Sequence, residues 1–304
     1  MPRLNNKQKE IINKNRQKKL NQAELKNSAL VIAHLGFKVI VELQGELISC
    51  DFRKNLGEIA VNDRVLLKNG VIEAIFPRNN TFYKWDGRKK RAVASNLSKM
   101  LIVLAYQPEW QNSLIDRYLV AALNSQISPA IFCNKQDLKK ENSPSLALYE
   151  KLNIPLFYGS ADRGDLPNDL LNFLSEGRIY LCGQSGVGKS SLISSLLPDA
   201  KIWVQKISEL SGLGKHTTTN LRLYKYGKAA LIDSPGVRGL YLNYLNSQEI
   251  WEGFPEIYTL SQNCQFSDCK HLNEKNCAIK TALKNKEISE TRWHSLKQIL
   301  GEIV

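Results

Sequence analysis

Long apolar runs are what this sequence most clearly lacks. A helix that spans a bilayer needs roughly 20 consecutive apolar residues, and the longest runs here, such as residues 100–106, are only as long as a strand. The first residues contain no apolar core of the kind that a secretory signal peptide carries. We therefore expect a cytoplasmic protein with no membrane partner.

Acidic residues are also few, because 29 Asp and Glu stand against 42 Lys and Arg, which gives a formal net charge of +13. Residues 1–27 hold eight Lys or Arg and two acids, and residues 88–91 form a second basic run. Basic surfaces attract polyanions, and nucleic acid is the commonest of these in cytoplasm. The charge favours a nucleic-acid partner over a solvated tail or an anionic membrane.

Cysteine is scarce, and half of it is clustered. Three of the six cysteines stand singly in apparent strands, where a buried, inert thiol is expected. The others share a 264–277 segment with a histidine in the pattern C-x4-C-x-H-x5-C; the four residues are Cys264, Cys269, His271 and Cys277. Three thiolates and an imidazole suit tetrahedral Zn²⁺ and leave no open position, so we expect one structural zinc ion. Unligated thiols and redox chemistry are the alternatives.

Hydrophobic patterning divides the chain into four regions. After the basic tail of residues 1–27, five strand-like pieces within residues 28–92 (30–35, 38–43, 46–52, 63–68 and 71–76) predict a small β-barrel, for which an RNA-binding OB-fold is the natural candidate. Strands and helices then alternate through residues 93–243, which predicts a parallel α/β sheet covered on both faces. Residues 244–304 combine the Cys/His segment with a helical stretch at about 281–300, which predicts a mostly helical zinc-binding domain.

A phosphate-binding loop follows the apolar strand predicted at residues 178–182. The residues are Gly183, Gln184, Ser185, Gly186, Val187, Gly188, Lys189 and Ser190, with Ser191 next in the helix that they open. This is G-x-x-x-x-G-K-S in the strand–loop–helix setting that the motif requires. Its backbone N–H groups would surround the β-phosphate, Lys189 would reach the β- and γ-phosphates, and the Ser190 hydroxyl would ligate Mg²⁺.

Three further motifs indicate guanine-nucleotide chemistry. Asp233-Ser234-Pro235-Gly236 ends a strand and resembles D-x-x-G, in which Asp233 would hold Mg²⁺ and the Gly236 amide would sense the γ-phosphate. Asn134-Lys135-Gln136-Asp137 is N-K-x-D, and the Asp137 carboxylate can accept hydrogen bonds from guanine N1–H and the exocyclic amine. Adenine lacks that donor pair, so the site should select GTP. Ser160-Ala161 looks like the short element whose amide contacts guanine O6.

The segment between the phosphate loop and D-x-x-G suits a γ-phosphate-dependent switch. One of Thr217, Thr218 and Thr219 would coordinate Mg²⁺ when GTP is bound. Val237 stands where Ras-like enzymes carry the water-orienting Gln, so intrinsic turnover should be slow. His216 is a candidate catalytic group by its proximity to the switch, with a structural role as the alternative.

Taken together, these motifs resemble the ribosome small subunit-dependent GTPase A family. The resemblance covers residues 28–304 and rests on N-K-Q-D, G-Q-S-G-V-G-K-S-S, G-K-H-T-T-T, D-S-P-G-V-R and the Cys/His pattern, in that chain order. Because N-K-x-D precedes the phosphate loop, the GTPase domain is circularly permuted relative to Ras-like enzymes. The resemblance implies an OB-fold, a permuted GTPase domain and a zinc domain in a monomer that binds the small ribosomal subunit and its 16S rRNA late in maturation, with the subunit stimulating hydrolysis.

Two other functions remain as alternatives. Val237 and the basic tail would also fit a constitutive RNA-binding module with a decayed nucleotide site, although Lys189, Ser190 and Asp233 are intact. A translation GTPase that acts on mature ribosomes is disfavoured by the permuted motif order.

Overall fold

A computed structural model describes residues 28–35, 38–53, 56–211, 221–236, 239–272 and 274–303. The basic tail, the switch segment with His216, Thr217, Thr218 and Thr219, and Val237 all lie outside these residues. Within the part of the chain that is described, no helix has both the length and the apolar character needed to cross a membrane.

The amino-terminal region is a five-stranded barrel, as predicted. Its strands are β1 (Ala29–Leu35), β2 (Lys38–Leu43), β3 (Glu46–Phe52), β4 (Arg64–Lys68) and β5 (Val71–Ile75). They follow the order β1-β2-β3-β5-β4, and pairing of β1 with β4 closes the barrel. The turn after β2 has Gln44 in a left-handed conformation before a glycine, and the turn after β4 has Asn69 in the same place. Two consecutive residues with positive φ are typical of a tight β-hairpin turn.

A two-stranded hairpin that the sequence did not predict follows the barrel. It pairs β6 (Thr81–Trp85) with β7 (Lys90–Ser95), and the basic run of residues 88–91 lies in its turn and at the start of β7. Strand β7 therefore runs across the boundary that was predicted between residues 92 and 93.

The central region is an α/β sheet with helices on both faces. Its strands are β8 (Lys99–Ala105), β9 (Ser128–Asn134), β10 (Leu156–Tyr158), β11 (Glu176–Cys182), β12 (Arg222–Tyr226) and β13 (Lys228–Asp233), in the order β10-β9-β8-β11-β13-β12. All pairings are parallel except the antiparallel pair β12–β13. The helices are α1 (Asn112–Asn124), α2 (Ala147–Lys151), α3 (Asn168–Leu174), α4 (Lys189–Leu196) and α5 (Ala200–Ser211).

Strand β8 shows why the sheet is covered on both sides. Six of its seven residues are buried, and they alternate between two cores: Ile102 packs in a cluster that includes Tyr118 of α1, whereas Val103 packs in one that includes Leu170 and Leu192 of α3 and α4. A continuous apolar run is what a parallel strand with two buried faces requires.

The barrel and the central sheet are joined edge to edge. Strand β12 pairs with β1, with Ala33 opposite Arg222, so the two sheets form one sheet of eleven strands. The Lys225 ammonium lies 2.5 Å from the Glu42 carboxylate across the same join. The strand that follows the switch segment is therefore attached directly to the barrel.

The carboxyl-terminal region is helical, as predicted, and the helical stretch predicted at about 281–300 is divided between two helices. The structure has α6 (Ser247–Glu252), α7 (Pro255–Ser261), α8 (Ala278–Lys284) and α9 (Glu290–Glu302). Helix α8 ends where Lys286 takes a left-handed conformation, and the Glu287 N–H bonds back to the Ala282 carbonyl. The chain turns there and restarts as α9.

Helix α9 is anchored on α1 by two ion pairs. The Arg292 guanidinium lies 2.8 Å from the Asp116 carboxylate, and both side chains are almost completely buried. Arg117 of α1 pairs in return with Glu302 at 2.6 Å. These ion pairs fix α9 against α1, which packs on the central sheet. No cysteine takes part in either ion pair.

Candidate nucleotide site and metal centre

Four of the sequence motifs meet at one edge of the central sheet. The loop that begins at Gly183 follows β11, Asp233 ends β13, Asn134 ends β9, and Ser160 lies just after β10. These strands are parallel, so their carboxyl ends lie on the same side. Residues that are about a hundred positions apart in sequence are thereby brought around two neighbouring cavities.

The phosphate loop has positive φ angles at three glycines, and two of these also lie too close to neighbouring atoms to carry a side chain. Gly183 and Gly188 both have positive φ angles, of 138° and 93°. A Cβ atom on Gly183 would lie 2.1 Å from the Val103 carbonyl oxygen, and one on Gly188 would lie 2.2 Å from the Asn134 amide nitrogen. The motif glycines are therefore needed for close packing as well as for the turn.

Lys189 is held inside this loop. Its side chain is almost buried, and its Nζ donates to the Gly183 and Gln184 carbonyls at 3.0 and 2.9 Å. Burial lowers the pKa of Lys189, while the Asp233 charge opposes that shift. The ammonium is thus placed at the loop's centre, where it makes bonds to carbonyls that a phosphate oxygen could replace.

A cavity of about 600 Å³ lies in front of the loop. Its lining includes Lys189, Ser190, Asp233 and Gly236, so three of the four predicted catalytic residues face one space. It also includes Ser185, Gly186, Gly188 and Ser191 of the phosphate loop. His216 and the three threonines lie outside the described residues.

Asp233 is one of the unsatisfied polar groups that line this cavity. Its Oδ1 is buried without a hydrogen-bond partner in the described structure, and burial raises its pKa to about 6, against the opposing charges of Lys189 and Arg222. An orphaned buried carboxylate beside the Ser190 hydroxyl is the donor set that Mg²⁺ prefers. The residues present therefore fit a magnesium ion.

The D-x-x-G glycine is positioned by the phosphate loop itself. A Cβ atom on Gly236 would lie 2.6 Å from the Ser185 Cα atom. Only a residue without a side chain lets the two loops lie in contact, so the amide of residue 236 stays beside the loop that would hold the phosphates.

Asn134 ties three of the loops together. The side chain is fully buried; its amide donates to the Val187 carbonyl at 2.9 Å, and its oxygen accepts from the Ala161 N–H at 2.9 Å. Lys135 adopts a left-handed conformation, and its Nζ donates to the Gly186 carbonyl at 2.6 Å. The N-K-x-D segment therefore braces both the phosphate loop and the Ser160-Ala161 element.

A second cavity, of about 280 Å³, has the Asp137 carboxylate in its wall. The Ser160 hydroxyl donates to Asp137 Oδ1 at 2.7 Å, and Arg163 lies 3.1 Å from Oδ2. The Ser160 hydrogen bond holds the pKa of Asp137 below its usual range. Asp137 is therefore an ionised acceptor, and its cavity shares Lys135 and Asp162 with the larger one.

Sequence reasoning missed several residues of the larger cavity, two of which lie on β12. Arg222 and Tyr224 of β12 line it, and Arg222 lies directly opposite Asp233 in the β12–β13 ladder. The Arg222 Nε is buried without a partner among the described residues. Neither residue belongs to a motif; only the pairing of β12 beside β13 could have revealed them.

The four metal-ligand candidates also converge. Their ligand atoms all lie within 4.8 Å of one another, and the His271 Nδ1 is 3.5 Å from the sulfurs of both Cys264 and Cys277. A tetrahedral ion with Zn–S bonds of about 2.3 Å would separate its ligand atoms by roughly 3.5–3.8 Å. Trp251 and Trp293 contact the His271 ring. The residues fit a tetrahedral metal ion.

A parallel sheet that gathers a G-x-x-x-x-G-K-S loop, D-x-x-G and N-K-x-D at one edge defines a P-loop GTPase, and the chain order makes it circularly permuted. The family model described as RsgA GTPase matches residues 75–243. The chain belongs to the RsgA GTPase family and is a GTP-hydrolysing enzyme. Membership of a GTPase family implies the use of GTP and Mg²⁺.

Known proteins resemble this chain over almost its whole length. The small ribosomal subunit biogenesis GTPase RsgA of Dichelobacter nodosus is 43% identical over 315 aligned positions, which cover 99% of both chains. Its Pseudomonas fluorescens counterpart of the same name is 40% identical over 91% of this chain and 85% of its own length.

Solved structures agree in fold. The crystal structure of YjeQ from Thermotoga maritima superimposes with a TM-score of 0.68 at 29% identity and covers 91% of this chain and 98% of that one. YloQ, described as a circularly permuted GTPase, gives a TM-score of 0.64 at 24% identity over 91% and 94% of the two chains, a likeness that shows the fold alone.

Proposed function

We propose that this enzyme binds the small ribosomal subunit, including its 16S rRNA, and uses GTP hydrolysis to leave it late in maturation. The relatives described above carry small ribosomal subunit biogenesis in their names. The observation that carries the proposal is the connection of the Asp137 cavity to the Lys189–Asp233 cavity through Lys135. Such a site takes a guanine base and a phosphate chain in one molecule.

In this proposal, each motif has one task. Asp137 reads the guanine edge, and the phosphate loop surrounds the β-phosphate. The Ala161 N–H, which donates to Asn134 Oδ1 in this structure, turns to guanine O6 when the base binds. Ser190 and Asp233 hold Mg²⁺ with one of the switch threonines, and Lys189 neutralises charge on the transferred phosphoryl group. Mg²⁺ supplies the charge stabilisation that phosphoryl transfer needs.

We assign the positioning of the attacking water to none of the described residues that line the two cavities. Val237 has no hydrogen-bonding side chain, so the attacking water is oriented by His216 or by a group that the ribosomal partner contributes. Phosphoryl transfer depends mainly on positioning and electrostatic stabilisation, both of which a partner can supply. Turnover is therefore slow in the free protein and faster on the subunit.

The remaining regions supply binding and structure. The basic tail and the OB-type barrel contact rRNA, and the Cys264–Cys269–His271–Cys277 set holds one structural Zn²⁺ ion. The protein acts as a cytoplasmic monomer. The alternative of a decayed nucleotide site is not favoured, because Lys189, Asp233 and Asp137 are all in place around the two cavities.

The test is turnover of GTP and ATP, measured side by side with and without purified small subunits. We expect slow GTP hydrolysis that the subunit accelerates, and little ATP hydrolysis under either condition. A Lys189→Ala variant controls for contaminating nucleotidases. Equal use of ATP, or GTP turnover that the subunit leaves unchanged, would contradict the proposal.

A further inference from the structure

A third cavity lies at the junction of the barrel and the central sheet, away from the nucleotide. It has a volume of about 330 Å³, and its lining includes Arg64 of β4, Arg178 of β11 and Phe76. It shares no lining residue with the two nucleotide cavities. Arg178 stands five residues before the phosphate loop on β11, which puts it about 16 Å from that loop, towards the opposite edge of the sheet.

The two arginines of this cavity have no acidic partner among the residues that the structure describes. Among the described residues, no carboxylate lies within 4 Å of either guanidinium. Arg64 donates to the Ser28 hydroxyl at 3.3 Å, whereas Arg178 makes long contacts of 3.4–3.5 Å with backbone carbonyls. Neighbouring Arg78 shows the contrast, since it binds the buried Asp63 carboxylate through two bonds of 2.7 and 2.6 Å.

The two charges also oppose one another. Burial lowers the pKa of Arg178, and the Arg64 charge lowers it further. Both side chains are partly buried, so solvent screens this repulsion less than it would on an open surface. An anion between the two guanidinium groups would remove the repulsion and satisfy their free N–H donors.

The walls of the cavity are preformed. Asn62 and Asn96 both have left-handed backbones, with φ angles of 70° and 52°. The Asn62 amide donates to the Ser95 carbonyl at 2.8 Å, and the Asn96 side-chain oxygen accepts from the Asn79 N–H at 2.8 Å. The asparagines are thus bonded into the frame, which leaves the arginines to meet a ligand.

Part of the wall is apolar. Leu30, Phe76 and Pro77 line the cavity beside the arginines. A group with an anionic end and a flat apolar side matches this combination, and a nucleotide of single-stranded RNA has both.

We propose that the cavity between Arg64 and Arg178 binds a phosphate group of RNA, with the two guanidinium groups as its ligands. The choice of RNA rests on the proposed function, because the ribosomal partner supplies it. Inorganic phosphate shares the chemistry of the anion and is the competing source.

The experiment compares wild-type protein with the double variant Arg64→Gln/Arg178→Gln. Arg53→Gln is the matched control, because Arg53 belongs to the same barrel and pairs with Glu73 at 3.8 Å. Binding to purified small subunits is measured across a salt series. We expect the double variant to bind roughly tenfold or more weakly. The slope of log K against log salt should become shallower by an amount that corresponds to between about one and two phosphate contacts. Arg53→Gln keeps the wild-type affinity and slope, and Arg64→Lys/Arg178→Lys restores part of the slope.

Melting temperature separates a binding role from a structural one. Removing two unpaired like charges should leave the double variant's melting temperature unchanged or higher. Equal affinity and slope for the wild type and the double variant, or a fall in melting temperature that accounts for weaker binding, overturns the proposal.

Two further arms identify the ligand even if the subunit fails to bind. A single-stranded RNA oligonucleotide and inorganic phosphate are each titrated against the wild type and the double variant. RNA binding that the double variant loses supports the proposal and leaves only the ribosomal partner in question. Binding of inorganic phosphate alone, or of neither probe, overturns it.

Discussion

The nucleotide site and the Cys/His cluster are built in opposite ways. The nucleotide residues come from loops as distant as Asn134 and Gly236, and buried parallel strands hold those loops in place. The cluster lies within residues 264–277, between helices α7 and α8, and three of its four ligands are only partly buried. The sheet therefore positions the nucleotide residues without a ligand, whereas we expect the cluster to depend on the metal ion proposed for it.

The largest effect that this contrast predicts is loss of activity without loss of fold. Lys189→Ala should reduce the kcat/KM for GTP by about a hundredfold or more, because no other described side chain replaces the ammonium at the loop's centre. The melting temperature should stay within a few degrees of wild type, because Lys189 bonds only to carbonyls of its own loop. Steady-state turnover and calorimetry measure the two effects.

The exposed Lys206 on α5 provides the matched control. Lys206→Ala removes a lysine of the same type from a helix surface outside the cavity, so both turnover and melting should be unaffected. Unfolding of the Lys189→Ala protein would contradict the view that the sheet alone holds the site.

The second prediction concerns the metal centre. We expect the wild type to carry the one zinc ion proposed for this cluster and Cys277→Ser to lose it, because the substitution removes one ligand of a closed four-ligand set. Metal analysis of the purified protein measures this loss, and hydrogen exchange should show faster opening of residues 262–277. Helix α9 should keep its protection, because the Arg292–Asp116 ion pair lies outside the cluster.

Cys50→Ala is the control for the loss of a thiol. Cys50 is buried in the barrel, away from the cluster, so its loss should leave the zinc content unchanged. If chelation instead released α9 and the whole carboxyl-terminal region, the cluster would support far more of the fold than its position indicates.

The third prediction tests whether the base cavity selects guanine. Asp137→Asn should weaken GTP binding by roughly a hundredfold, because an amide replaces the carboxylate that accepts two donors of guanine. The same amide can donate to the 2-oxo group of xanthine, so affinity for XTP should rise. Titration with fluorescent analogues of both nucleotides measures the exchange of preference.

Asp162 serves as the comparison residue for that experiment. Asp162 lines the same cavity but is exposed. Asp162→Asn should therefore leave the affinities for GTP and for XTP unchanged. An unchanged GTP affinity in Asp137→Asn would remove the base-reading role from Asp137.

Most of the fold could be predicted because its signals are local. Barrel strands are short apolar runs, several of them separated by turn residues, and the phosphate loop stands between an apolar strand and a helix, so each is visible in a short window of sequence. The β6–β7 hairpin was not predicted, although Asp86-Gly87 marks its turn, because the basic run that follows interrupts the apolar alternation. Arg222 was not predicted as a site residue for a different reason. Its place opposite Asp233 arises from strand pairing, which no local pattern encodes.

The smallest predicted effect is one of stability, and it arises from the burial of Asp233. Burial raises the pKa of Asp233 to about 6, above its unfolded value of about 3.9, so the folded protein binds a proton there more tightly than the unfolded chain. The contribution of this carboxyl to stability is therefore greatest below the unfolded pKa and falls as the pH rises towards 6; above that pH the ionised carboxylate costs about 3 kcal/mol. Asp233→Asn should remove this cost and raise the free energy of unfolding at pH 7 in metal-free buffer, while Mg²⁺-dependent turnover is lost.

Denaturant unfolding at pH 7 and pH 5 measures this stabilisation, which should be smaller at the lower pH. An Asp169→Asn control on the exposed start of α3 should show no such trend. Destabilisation by Asp233→Asn at pH 7 would mean that the carboxylate already has a stabilising partner, and the nucleotide site would then depend on its polar groups for stability, as the metal centre is expected to depend on its ion.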